Sequence, residues 1–173
     1  MAEVLLMRPV AALSRGLRRT QVVGRRIVPV ESEEVQLRRG ITIGGMGFVL
    51  EGNPMMEVLD SPKIFAIPNT PLTCRGIVNL RGGLIPVFDI RKRIGGEGGA
   101  FRWVLVIERG ERAAGVVIDS LPLQLKLSES NRCAISDEMV AAIREAVVSS
   151  YEVEGNIFHA LDHQQLLYLL KGH

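Results

Sequence analysis

Between Arg75 and Gly95 the chain reads RGIVNLRGGLIPVFDIRKRIG, and no other stretch restricts the fold as much. Two short β-prone runs, Gly76 to Leu80 and Leu84 to Phe88, flank Arg81-Gly82-Gly83. Glycine tolerates the left-handed backbone of a tight connection, so the spacing predicts a hairpin with a three-residue loop. Asp89 then stands where a helix N-cap belongs. Ile90 and Ile94 fall four apart on one helical face, and Gly95 is placed to end the turn. The predicted unit is strand, glycine turn, strand, one-turn helix.

The C-terminal end repeats this design. Glu154-Gly155-Asn156 reads as a turn, Ile157 to Leu161 as a strand, Asp162 as an N-cap and Gln164 to Leu170 as a helix. Gly155 precedes Asp162 by seven positions, as Gly82 precedes Asp89, and Leu167 and Ile94 each sit five beyond their caps. Each half also begins with a glycine-turn hairpin, at Gly44-Gly45 and at Gly110. This two-fold pseudo-repeat predicts two similar small β-barrels packed on each other, each closed by a short helix. Gly95 to Gly99, the most glycine-dense stretch, marks the expected boundary between the halves.

The remaining pattern is also mainly β. Ile41 to Ile43 and Phe48 to Leu50 form a hairpin around glycines, and Met55 to Leu59 is an apolar run broken by Glu57. Pro62, Pro68 and Pro71 mark a loop in which Ile64 to Ile67 reads as an edge strand. Trp103 to Glu108 and Ala113 to Asp119 carry consecutive apolar residues, the signature of strands buried on both faces. Leu121, Leu123, Leu125 and Leu127 alternate with other residues, as a half-exposed strand does. Ser136-Asp137-Glu138 reads as the cap of a short helix through Ile143, with a strand from about Glu145. Aromatics make up only 5% of the chain, so Val, Ile, Leu and Met must fill the core.

Six arginines and no acid lie between Val4 and Val30, which makes residues 1–34 a basic, flexible extension ahead of a folded domain over 35–173. Cys74 and Cys133 are far apart in sequence and read as reduced thiols. No run approaches the roughly 18 apolar residues of a membrane span, and Arg8 closes the short apolar run after Val4, so a cytoplasmic protein without membrane insertion is expected.

Signs of catalysis are scarce. Gly45-Met46-Gly47 starts a dinucleotide-type glycine pattern, but Leu50 fills the third glycine position, and neither a P-loop nor a nucleophile elbow occurs. His159 and His163 are four apart, yet a strand at His159 and a cap at Asp162 break the shared face, so both read as structural. The expectation is no enzyme, no cofactor and no metal. Two charges stand out by position: Arg81 at the hairpin tip and Glu57 inside its apolar run. Such a charge turns to solvent or needs a partner.

The segment from Gly76 to Gly95 closely resembles the most diagnostic stretch of the CheW-like domains, the coupling proteins of bacterial chemotaxis. MEVL at Met56, IPNTP at Ile67, AGVVID at Ala114 and ALDHQQLL at Ala160 follow in that family's order, so the resemblance covers Val35 to Leu170. It implies two five-stranded SH3-like barrels around a shared core. It also implies a non-catalytic adaptor that bridges the regulatory domain of a chemotaxis histidine kinase and the cytoplasmic tip of a methyl-accepting chemoreceptor. By motif position, Glu57 and Arg81 resemble the family's charged pair beside its protein-binding surface. Met55, Arg75, Gly76 and Asn79 would lie at or near the receptor-facing groove, and Leu121 on the second-barrel side. The extension has no counterpart in that resemblance.

The 17 arginines also suggest a β-barrel nucleic-acid binder. Such a domain stacks bases on clustered aromatics, and only eight aromatics occur, scattered along the chain. Partners are therefore expected to be proteins rather than nucleic acid.

Overall fold

Alternation with a period of two decides where each strand's side chains go, and three apolar cores result. The computed structural model describes residues 34–135 and 141–171. Most of the basic extension and the Ser136-Asp137-Glu138 cap lie outside these residues. Along β6 (Trp103–Ile107), Val104 and Val106 enter one core while Leu105 and Ile107 enter another. Along β7 (Ala114–Ile118), Val117 joins the first set and Ala114, Val116 and Ile118 the second. Both strands are therefore buried on two faces, as their unbroken apolar runs predict.

Eleven strands among the described residues form two sheets. One runs in the order β3 (Met56–Asp60), β6, β7, β5 (Gly83–Phe88), β4 (Cys74–Leu80). Laid flat, five strands about 4.8 Å apart would hold their edges some 19 Å from each other. Instead Glu57 on β3 meets Arg81 beside β4 at 2.8 Å, and Phe65 makes a β-bridge to Ile77 on β4. The sheet is curled into a barrel around Val78, Ile85, Val87, Val104, Val106 and Val117.

The other sheet runs β8 (Leu123–Leu127), β1 (Gln36–Ile43), β2 (Met46–Glu51), β11 (Asn156–Asp162), β10 (Val147–Val153), β9 (Arg132–Cys133). Its outermost strands, β8 and β9, are joined by a single 3-10 turn over Glu129–Asn131, which brings those edges together. Val49, Leu125, Leu127 and Phe158 fill this second barrel. The largest core lies between the barrels, with Ile41, Phe48 and Leu161 from one side and Phe88, Leu105 and Ile118 from the other. The predicted pair of barrels around a shared core is thus present, with two-residue β9 as a sixth strand.

Three local expectations change. The Arg81 hairpin has two loop residues, not three, because Leu80 pairs directly with Gly83. Arg81 itself adopts φ 51° and Gly82 φ 86°, the doubly left-handed pair of a primed turn whose twist matches the strands. Ile64 to Ile67 contributes one bridge at Phe65 rather than a strand. The turn at Arg91–Ile94 is 3-10, and Asp89 serves it by accepting from both the Arg91 amide and its guanidinium. The hairpin expected at Gly110 is present, with β6 and β7 paired antiparallel around a 3-10 turn at Gly110–Arg112.

Nor does Gly95 to Gly99 divide the barrels. Strands β6 and β7 follow it, yet they pair with β3 and β5, which precede it. The chain changes barrel after β2 and again after β7. The glycines instead allow close contact: a Cβ on Gly96 would lie 2.5 Å from Gly44 Cα, in the turn between β1 and β2.

Helix α1 (Ala141–Arg144) is short, while α2 (His163–Lys171) closes the chain. Asp162 caps α2 as expected, its Oδ1 accepting from the amides of Gln164 at 2.8 Å and Gln165 at 3.1 Å. Leu166, Leu167 and Leu170 turn inward at helical spacing. Among the described residues no helix is long and apolar enough to cross a membrane.

Candidate protein-binding groove

Glu57 pairs with Val106 across β3 and β6, and its carboxylate meets the tip of the β4–β5 hairpin. Arg81 reaches back from the turn with Nη1 and Nη2 each 2.8 Å from a different Glu57 oxygen. The guanidinium fork suits a carboxylate in this two-bond geometry. Arg81 remains 69% exposed along its side chain, so the pair is set at the surface with donor capacity left over.

A groove of about 600 Å³ opens beside the pair. Exposed Met55 and Leu84 border it, Leu80, Ile85 and Val106 supply apolar lining, and Glu108 and Arg109 line it as well. Asn79 shapes the Arg81 turn by accepting the Gly82 amide at 3.0 Å. Asn79 also lines a neighbouring cleft between the free edges of β3 and β4, with Leu59 and Phe65.

The structure brings Met55, Glu57 and Arg81 to one groove and leaves the other expected residues outside it. Gly76 is buried with φ 128°, and a Cβ there would collide with the Phe65 carbonyl. Its place is to let the Phe65 bridge form. Arg75 lies over the Phe101 ring at 5.6 Å. Leu121, 53% exposed, sits on the crossing between β7 and β8. Leu84, Glu108 and Arg109 were missed as groove residues. An exposed Leu just past a hairpin turn was the one available signal for Leu84; nothing local marked the other two.

Charged neighbours are well paired. Arg102 binds Asp60 at the end of β3 through two 2.9 Å bonds. Those bonds, with a further one from Ser61, hold the Asp60 carboxyl down to about 2. Arg102 also covers Trp103 at 4.4 Å, and Lys63 covers Phe65 at 5.0 Å. Phe65, Phe101 and Trp103 thus lie under cations and Phe48 and Phe88 inside the core, while Tyr168 on α2 is exposed. His159 is buried against Ser150 Oγ at 2.8 Å, and burial pushes its imidazole below the usual histidine range. Among the described residues no three His, Cys, Asp or Glu side chains are grouped to hold a metal ion.

A family model described as the CheW-like domain matches residues 40–171. Among curated proteins, the chain is 32% identical over 99 residues to Protein PilI of Pseudomonas aeruginosa, covering 54% of this chain and 56% of that protein. It is 28% identical over 90 residues to Chemotaxis protein CheW of Klebsiella aerogenes, covering 50% of this chain and 54% of that one. The matches therefore span about half the length of these curated relatives. The crystal structure of scaffolding protein TtCheW from Thermoanaerobacter tengcongensis superposes with a TM-score of 0.62 at 21% identity, covering 75% of this chain and 90% of that one. That likeness establishes the two-barrel fold.

Proposed function

The chain belongs to the CheW-like domain family, and on that premise we propose that it is a non-catalytic adaptor. It couples the cytoplasmic tip of a methyl-accepting chemoreceptor to the regulatory domain of a chemotaxis histidine kinase by holding both in fixed geometry. The observation that carries this reading is the groove itself. An arginine held by a carboxylate, yet still exposed, borders apolar Met55 and Leu84. Arginine beside desolvatable apolar surface is the composition of an interface anchor, and nothing in it suggests a reaction centre. Arg75, Gly76 and Asn79 support the same face by fixing the strand and turn that present Arg81. Leu121 offers a separate apolar point for the second partner.

The test is capture of the cognate kinase regulatory domain and of a receptor-tip fragment by the purified chain. Wild type should capture both, and Arg81→Glu should lose at least one. Capture of neither by wild type would end the adaptor reading. Undiminished capture of both by Arg81→Glu would remove the groove from it.

A further inference from the structure

Glu108, at the end of β6, stands where the groove meets helix α2. Its backbone is left-handed, with φ 66°, and its amide donates to the Met55 carbonyl at 2.9 Å. One face of the residue therefore belongs to the groove wall. Its carboxylate turns the other way: Oε1 lies 3.1 Å from His163 Nε2, and Oε2 lies 3.9 Å from Arg112. His163 is the first residue of α2, and its Nδ1 sits 2.8 Å from the backbone carbonyl of Glu51, the last residue of β2. One imidazole thus touches the second barrel, helix α2 and the first barrel.

The chemistry of these contacts sets a requirement. A carbonyl only accepts, so Nδ1 must carry a proton; an ionised carboxylate also only accepts, so Nε2 must carry one too. Both contacts are made together only by the imidazolium. The other charged groups nearby do not supply the missing donor to Glu108 Oε1. Glu51's own carboxylate faces Arg38 at 3.5 Å, and Asp162 is committed to the α2 amides. Lys171 is directed to the carbonyls of Glu111 and Arg112 at 3.3 and 3.2 Å, and Arg112 touches the far oxygen of Glu108.

We infer that His163 is a positioning residue for the groove, tying α2 and the second barrel to Glu108 and so fixing the wall a partner packs against. This rests on reading the groove as the partner site. Without the imidazole the tie opens, and binding at the groove weakens.

The experiment uses the full chain, wild type, His163→Ala and Glu108→Gln. Amide exchange is measured at Glu108, and affinity for the receptor-tip fragment is compared among the three. His163→Ala should bind the fragment about fivefold more weakly than wild type and exchange the Glu108 amide about fivefold faster. Glu108→Gln, whose side-chain amide can still meet Nε2, should stay within about twofold of wild type in both measurements. Wild-type affinity together with wild-type Glu108 exchange in His163→Ala overturns the inference. If wild type binds no fragment, the adaptor reading fails, while Glu108 exchange still decides the role of His163.

Discussion

Arg81 grips Glu57 by both terminal nitrogens, each at 2.8 Å from its own oxygen, while its backbone holds φ 51°. A non-glycine residue in that region costs on the order of 1 kcal/mol, and an exposed ion pair returns about 0–1 kcal/mol. Stability therefore gives little reason for arginine at this turn. Arg81→Gly should leave the urea-unfolding free energy within about 1 kcal/mol of wild type, because glycine relieves the backbone. The same variant should weaken capture at the groove by about tenfold or more, as loss of an arginine anchor does. Equal binding by Arg81→Gly would mean that the turn matters and the guanidinium does not.

The Asp89–Arg91 pair behaves in the opposite way. Both side chains are 8% exposed, and Arg91 additionally donates to the Gly99 carbonyl at 2.9 Å. Burial alone would push the Asp89 carboxyl up, but the Arg91 hydrogen bonds and charge, with a lesser pull from Arg75, hold it below the usual carboxylate range. Asp89→Ala strands a buried guanidinium and should cost about 3 kcal/mol in urea unfolding. Because the native carboxyl is depressed, its contribution is present above the ordinary carboxylate range. It is lost as pH falls through the lowered native value. The stability difference between wild type and Asp89→Ala should therefore shrink in strong acid.

How much of this was legible in the sequence depended on range. The runs around Val104 and Val116 could be read as doubly buried because the period of two is local, and the hairpins because glycine marks their turns. Membership of the barrels could not be read so directly. Strand β2 pairs in parallel with β11, at the far end of the chain, a choice made by packing rather than propensity. Glu57 stood out as a charge within an apolar run, but its tie to Arg81, 24 residues on, depends on the curl of the sheet. His163 read as structural, with no local sign that Glu108 would face it. The Arg81 hairpin could be read too, but its loop is one residue shorter than expected because Arg81 itself takes a left-handed backbone.

His159 provides an acid-sensitive counterweight in the second barrel. Only 6% exposed, it is pushed below the usual histidine range by burial. Its native value lies under its unfolded one, so the stability it contributes is complete above the ordinary range near 6.5 and lost as pH falls. His159→Gln, which can still bond Ser150, should lose less stability than wild type between about pH 7 and about pH 5. Urea midpoints at the two pH values measure it. Parallel losses in both proteins would place the acid sensitivity elsewhere.

Residues of the glycine tract from Gly95 to Gly99 should differ sharply in what they tolerate. A Cβ on Gly96 would lie 2.5 Å from Gly44 Cα and 2.6 Å from its carbonyl oxygen, and backbone cannot rotate aside. Gly96→Ala must displace the turn between β1 and β2, and with it the 2.9 Å bond from the Gly45 amide to Asp119 Oδ2. A loss of about 2 kcal/mol or more in unfolding free energy follows. The three atoms nearest to a Cβ on Gly98 all belong to the side chain of Lys92, which can swing into solvent. Gly98→Ala should therefore stay within about 1 kcal/mol of wild type. If the two substitutions cost the same, the tract is needed for its backbone freedom, and the close approach of Gly96 to Gly44 does not join the barrels.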